Sequence, residues 1–327
     1  MDAGAAPYAT LSPDLILDAV AAAGHEPDGR MLALGSYENR VYQVGIEDAK
    51  PLIAKFYRPG RWSDAAIDEE HDFALELARA ELPVVAPMVI NGQTLLEHAG
   101  FRFSLYPRQG GRSPELESAE NLAWMGRLLA RIHGVGSRAA FHERGSIDVD
   151  TFVHEPSRAV LGSNLLPATL RPRYADLTER LADLLDQRLQ ACAPIRHIRL
   201  HGDCHRGNVL WTDAGPHFVD LDDARMGPAV QDLWMLLSGD RQQRTRQLGA
   251  LVDGYEQFRE FDRRELALIE PLRTLRLIHY SAWLARRWAD PTFPINFPWF
   301  GSSDYWQGQV QMLQDQIEAM QEEPLVV

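Results

Sequence analysis

The chain is expected to fold as a bilobal α+β protein, with a small amino-terminal lobe built on an antiparallel sheet with one main helix and a larger, mostly helical second lobe. Three observations carry this expectation. Between Arg30 and Tyr106 short apolar runs alternate with turn residues, whereas from Ser118 onward apolar residues recur with helical spacing, so the period changes from strand to helix and stays there. The change follows Pro107-Arg108-Gln109-Gly110-Gly111, a flexible link that divides residues 1–106 from residues 107–327. At 327 residues the chain is long enough for two lobes, each with its own core.

After a short Ala-rich lead, Ser12-Pro13-Asp14 supplies a capping hydroxyl, a proline at the first helical position and an acidic first turn. The helix that follows carries the stripe Leu15, Ile16, Val20 and Ala23 and ends at Gly24. Strands are expected at Met31–Leu34, Val41–Val44 and Leu52–Phe56, joined by Gly35-Ser36-Tyr37-Glu38-Asn39 and Gly45-Ile46-Glu47-Asp48. A helix from Ser63 to about Ala80 comes next. Leu82–Ile90 and Gln93–Leu96 read as strands flanking the hairpin dipeptide Asn91-Gly92, and Phe101–Tyr106 completes the sheet.

In the second lobe, helices are expected over 118–134 and 173–190, from about Ala229, and over 256–260, 266–288 and 305–320. The segment holding Pro156 and Pro167 is irregular or made of short helices, and Asp290–Phe300 is a rigid aromatic loop. His133 closes its helix as a terminal charge or packing residue, and the tail 321–327 is expected to fray.

Composition bounds the function. With 33 basic against 46 acidic side chains the net charge is −13, which disfavours nucleic acid and anionic membrane as partners. No apolar stretch is long enough for a transmembrane helix, the first residues lack the basic start of a signal peptide, and the only cysteines are Cys192 and Cys204. A cytoplasmic monomer is expected.

The chemistry concentrates in Leu200–Asp232. Asp203 is followed five positions later by Asn208, and twelve after that by Asp220 at the end of the apolar run His217-Phe218-Val219. Val209-Leu210-Trp211 and Phe218-Val219 flank the turn-rich Thr212–Pro216, so a hairpin would bring Asp203, Asn208 and Asp220 together at its mouth. Such a set suits magnesium-dependent phosphoryl transfer, which needs a carboxylate for the attacking hydroxyl and hard oxygen ligands for the metal on the phosphates. Any one loop aspartate is most often a turn or cap residue; the weight lies in all three at this spacing, with Lys55 upstream. His201, Cys204 and His205 raise zinc as an alternative, weakened by the lack of a CxxC pair.

H-G-D-x-x-x-x-N followed by D-L-D resembles the catalytic loop and metal-binding aspartate of protein kinases. With Gly in place of the usual Arg it is similar to the aminoglycoside phosphotransferase branch of that fold. HGDCHRGN, FVDLDDAR, GPAVQDLWMLL, SYENRVYQ, KFYRP and RRWADP, spread over nearly the whole chain, resemble a group of bacterial serine/threonine protein kinases in that branch. The resemblance implies a protein-kinase-like fold, ATP as substrate, Mg²⁺ as cofactor, protein serine or threonine as acceptor with autophosphorylation, and a part in bacterial stress response.

It further implies roles. Asp203 would be the catalytic carboxylate, and Asn208 and Asp220 the metal ligands. Lys55 would meet the α- and β-phosphates and Ser36 the phosphate oxygens, while the backbone at Leu105 and Tyr106 would form the adenine edge. Glu70 shares the inward stripe of Phe73 and Leu77 and is expected to orient Lys55, with Glu69 as the alternative. Asp232 is expected to anchor the catalytic loop. No long activation segment follows Asp220, as in kinases of small alcohols such as choline, homoserine or aminoglycosides, so that class is the main alternative; a silent nucleotide-binding scaffold is another. Arg276, Arg286 and Arg287 are candidates to meet phosphate or an acidic acceptor.

Overall fold

The computed structural model describes residues 7–327, so most of the Ala-rich lead lies outside the described residues. The first helix, α1 (Pro13–Ala22), starts where Ser12 Oγ accepts the Leu15 N–H, and it buries Ile16, Ala19 and Val20. Its platform is an antiparallel sheet of β1 (Pro27–Ala33), β2 (Arg40–Ile46), β3 (Leu52–Phe56), β4 (Leu96–His98) and β5 (Phe101–Pro107), in the order β1-β2-β3-β5-β4. Alternation along β3 decides the lobe's two faces. Ala54 and Phe56 pack beneath α1 with Phe103 and Leu105, and Ile53 and Lys55 point into the interlobe cleft. Helix α2 (Asp64–Arg79), capped by Ser63, closes the back of that cleft.

The segment Leu82–Ile90 is not a strand. Pro83 and Pro87 have no N–H to give, so it makes only isolated bridges, Val84 with Phe218 and Ile90 with Gln93. Met88 donates to the Leu105 carbonyl and Val85 to that of Phe218, which makes the segment a strap between the sheet and the second lobe. Asn91 and Gly92 form the expected left-handed turn, with φ of 49° and 82°, but the true hairpin lies at Ala99-Gly100, between β4 and β5.

The second lobe is built on α3 (Ala119–Gly136), α4 (Glu155–Gly162), α5 (Arg171–Ala191), α6 (Val230–Trp234), α7 (Arg241–Tyr255), α8 (Ile269–Arg287), α9 (Thr292–Asn296) and α10 (Ser303–Ala319). Short pairs β6 (Ile198–Leu200) with β9 (Arg225–Gly227), and β7 (Val209–Thr212) with β8 (Gly215–Phe218), hold the loops between them. Helices α3 and α7 cross closely. A Cβ on Gly126 would stand 2.0 Å from the Leu251 carbonyl oxygen, and one on Gly254 2.0 Å from that of Ala123.

Helix α7 corrects the expected helix at 256–260, where the chain is only turning. The tail is also not frayed throughout: Leu325 is buried, Arg241 donates to the Glu323 and Pro324 carbonyls, and Arg263 to that of Val327. The aromatic stretch 290–300 does more than cap the helices. Its Asp290 is buried between Arg58 at 2.6 Å and Arg40 at 3.2 Å, both from the sheet lobe. No helix among the described residues is long and apolar enough to cross a membrane.

Candidate active site

The loop between β6 and β7 is held from below by α6, where Gln231 donates to the Gly202 carbonyl at 3.0 Å. Asp232 on α6 is fully buried, and its two oxygens accept the N–H groups of His201 and Gly202, each at 2.9 Å. His133 Nε2 lies 3.1 Å from the same carboxylate while its Nδ1 meets the Tyr255 hydroxyl, so His133 is part of this anchor rather than a helix-end charge. Gly202 has φ of 83°, and a Cβ there would lie 2.2 Å from the Asp223 carbonyl oxygen. No side chain fits between the two segments, which accounts for glycine in H-G-D.

The hairpin β7–β8 pairs Val209 with Phe218, and the Val219 N–H extends it by donating to the Asn208 carbonyl at 3.0 Å. Its turn is tighter than expected, only Asp213 and Ala214 lying between the strands. Asn208 and Asp220 are thereby set side by side. Both line a cavity of about 380 Å³ between the lobes, with Lys55 and Glu70 behind and Ser36 above. That volume falls in the usual range for a nucleotide-sized ligand, roughly 300–1,000 Å³. Asp220 has φ of 62°, a left-handed conformation that costs a non-glycine residue about 1 kcal/mol or more and that aims its carboxylate at the cleft.

Lys55 Nζ lies 2.9 Å from Asp220, 3.4 Å from Asp222 and 4.0 Å from Glu70. Burial alone would lower its pKa, but the three carboxylates outweigh it and hold the ammonium well above its ordinary value. Glu70 behaves oppositely. Burial pushes its carboxyl up to about 6 against the pull of Lys55 and of Arg144, which stands 3.7 Å away. Glu69 faces elsewhere, accepting the N–H groups of His142 and Glu143 at an exposed edge.

Asp203 accepts from Arg276 Nη1 at 2.5 Å and lies 3.3 Å from His205 Nε2. Burial would raise its pKa, yet the hydrogen bond from His205 and the charge of Arg276 win, so the carboxyl stays below its usual range and is ionised at neutral pH. His205 Nδ1 accepts the Gly207 N–H, which leaves the ring proton on Nε2, facing Asp203.

The adenine edge needs a correction. Leu105 is fully buried on the α1 face and its carbonyl is taken by Met88, so it does not reach the cavity; the lining there is Tyr106, Pro107 and Gln109. Tyr106 turns its hydroxyl inward to Tyr57 at 3.0 Å. Zinc also loses its footing. Cys204 is buried with its thiol pushed well up by burial, His201 Nε2 meets the Val219 carbonyl, and no group of three His, Cys, Asp or Glu side chains among the described residues is placed to hold a metal.

A harder cation fits better. Asn208 spends its Nδ2 on the Asp203 carbonyl, which leaves its amide oxygen free, and Asp220 is half-exposed with only one oxygen on Lys55. Two hard oxygen donors beside a phosphate-sized cavity suit Mg²⁺.

Several residues of the site were not anticipated. Asp222 binds Lys55 and Arg61, and Arg144 donates to the backbone carbonyls of Ala66, Asp222 and Ala224, tying α2 to the D-L-D segment. Glu38, in the loop over the cavity, meets Arg58 at 3.0 Å and, from α8, Arg287 and Trp283 Nε1 at 2.5 Å each. The second acidic residue of D-L-D was the signal for Asp222, and nothing local marks Arg58, Arg61 or Arg144; Arg287, expected to meet phosphate or an acidic acceptor, is paired with Glu38 instead.

Comparison with known proteins gives a consistent picture. Residues 31–269 match the model of the phosphotransferase enzyme family. The chain is 46% identical to stress response kinase A of Escherichia coli K12 over 99% of this chain and 98% of that one. It is 45% identical, with the same coverage, to a Salmonella typhimurium protein named serine/threonine protein kinase RdoA. Among solved structures, an amicoumacin kinase bound to AMP-PNP and Ca²⁺ superposes with a TM-score of 0.75 at 19% identity, covering 96% of this chain and 94% of that one. A microcompartment-associated aminopropanol kinase gives 0.67 at 20% identity, covering 93% and 97%. These two share the fold.

Proposed function

Because the chain belongs to the phosphotransferase enzyme family, we propose that it transfers the γ-phosphoryl group of ATP to serine or threonine hydroxyls of protein, its own included, in a bacterial stress response. The observation that carries this reading is that Lys55 from the sheet lobe and Asn208 and Asp220 from the second lobe line one interlobe cavity, with Asp203 next to Asn208 on a smaller cavity beside it.

The acceptor hydroxyl approaches beside Asp203, which orients it and takes its proton as the new oxygen–phosphorus bond forms and the bond from γ-phosphorus to the bridging oxygen breaks. Lys55 steadies the α- and β-phosphates, with Glu70 and Asp222 as its seats. Ser36 and the backbone of its loop cover the phosphates. Asn208 and Asp220 would hold Mg²⁺, which neutralises charge on the phosphates when bound. Tyr106, Pro107 and Gln109 border the adenine.

The test is labelled ATP with the purified chain, followed by separation of protein-bound from small-molecule label. Label on protein that vanishes in Asp203→Ala supports the reading, and label confined to a small alcohol sinks its protein-directed part. One observation favours that second reading: the chain passes directly from Asp223 through β9 to α6, with no activation segment to seat a peptide.

A further inference from the structure

Asp203 is approached on both oxygens. Oδ1 takes Arg276 at 2.5 Å, and Oδ2 faces His205 at 3.3 Å and Asn208 Nδ2 at 3.4 Å. Arg276 is the one close partner, and its guanidinium stands against Oδ1, where it crowds an approaching hydroxyl. His205 and Asn208 belong to the loop itself and are fixed by second bonds, to the Gly207 N–H and the Asp203 carbonyl. Arg276 differs. It comes from α8, makes no other hydrogen bond among the described residues, and its side chain is 42% exposed.

Arg276 also lines a small cavity of about 50 Å³ beside Asp203, together with Phe152, Asp223, Arg225 and His279. Every carboxylate there already has its cation: Asp203 has Arg276, and Asp223 has Arg61 at 2.8 Å and Arg225 at 3.1 Å. His279 is half-buried, and its pKa is lowered first by desolvation and then by Arg225. Arg286 follows on the same helix, exposed and without an ion pair among the described residues. A cationic alcohol would meet no free carboxylate here, whereas an anion would meet an arginine able to change partners.

We infer that the acceptor bears an anionic group beside its hydroxyl and that Arg276 reads it. A carboxylate or phosphate on the acceptor replaces Asp203 on the guanidinium, and Asp203 Oδ1 is released to take the hydroxyl proton. In a protein acceptor this means a serine or threonine flanked by acidic or phosphorylated residues. The inference rests on the phosphotransfer reading above and adds the acceptor's class to it.

The experiment gives the full chain Mg-ATP and serine peptides that differ only in the flanking residues, glutamate, phosphoserine, glutamine or lysine, with glycerate and choline as small acceptors. Wild type is expected to use the acidic peptides with kcat/KM about tenfold or more above the glutamine peptide, with the lysine peptide lowest. Arg276→Gln should raise KM for the acidic peptides and erase the difference, while KM for ATP stays in place as the sign of an intact fold. Arg276→Lys should keep part of the preference. Lysine or glutamine peptides serving as well as acidic ones, or an unchanged preference in Arg276→Gln, overturns the inference. If only small alcohols are labelled, the protein-directed reading falls by itself, and glycerate over choline then supports the anion inference while choline over glycerate overturns it. Label on none of them overturns both.

Discussion

The two ends of the cleft are charge inverses of each other. At the end beside the larger cavity one buried cation, Lys55, sits among three carboxylates, Asp220, Asp222 and Glu70; at the end beside the smaller cavity one carboxylate, Asp203, sits among donors from Arg276, His205 and Asn208. They also differ in firmness. Asp222 and Glu70 are almost wholly buried and doubly tied, whereas Arg276 is half-open to solvent. The difference teaches that two charged clusters a short way apart can be built to different firmness, and on the reading proposed above the firm one would meet the nucleotide and the open one the acceptor.

The largest expected effect breaks both ends. Asp203→Ala and Asp220→Ala should each lower phosphotransfer by about a thousandfold or more, and only Asp220→Ala should also weaken Mg-ATP binding. Turnover and calorimetric ATP binding check this, and Asp220→Ala with near-normal turnover at millimolar Mg²⁺ would end the metal assignment.

Asp232→Ala comes next, because it leaves the buried N–H groups of His201 and Gly202 unpaired. A loss of about 3 kcal/mol in urea unfolding is expected, with the acceptor end failing before ATP binding does.

Glu70→Gln should cost about tenfold in activity and should flatten the acid side of the pH profile. The sign follows from its raised pKa. With a folded value of about 6 above the ordinary carboxylate value, Glu70 is protonated in the native state as pH falls below 6, and it then releases its hold on Lys55. Activity should therefore fall below about pH 6 in wild type. The stability contribution runs the other way, greatest below the unfolded value and lost as pH rises through 6. An unaltered acid limb in Glu70→Gln would remove Glu70 from that role.

Glu69→Gln is the smallest change and the control. Its carboxylate meets only two backbone N–H groups at an exposed edge, so activity should stay near wild type with stability down by about 1 kcal/mol or less. A large loss of activity would mean that the two glutamates had been assigned the wrong way round.

Much of this architecture was legible in the chain, and the reason is local. Ser12-Pro13, Ser63 and Ser118 are real caps because a hydroxyl before an apolar stripe satisfies nearby N–H groups without help from distant residues. The placing of Asn208 and Asp220 on one cavity followed from a hairpin whose strands and turn are contiguous, while Asp203 lines a smaller cavity beside it. What failed depended on non-local partners. Helix α7 opens with Arg241-Gln242-Gln243-Arg244-Thr245-Arg246 and carries Gly254, which with Gly126 of α3 allows the close crossing, so it shows little apolar period; its one local signal was Asp240 and Gln243, a capping box. Leu82–Ile90 has the apolar content of a strand, but its two prolines cannot join a ladder. The backbone carbonyl of Leu105 was spent on Met88, seventeen positions upstream, which no reading of β5 alone would reveal.

Glu38 and Asp290 give the molecule a clasp in addition to its hinge. Residues 107–111 join the lobes through the chain, while buried ion pairs to Arg287 and from Arg40 and Arg58 join them a second time at the rim. Parting the lobes at that rim has to break these buried pairs. The freedom of one lobe to swing on the other is thereby limited by residues outside the cavity itself.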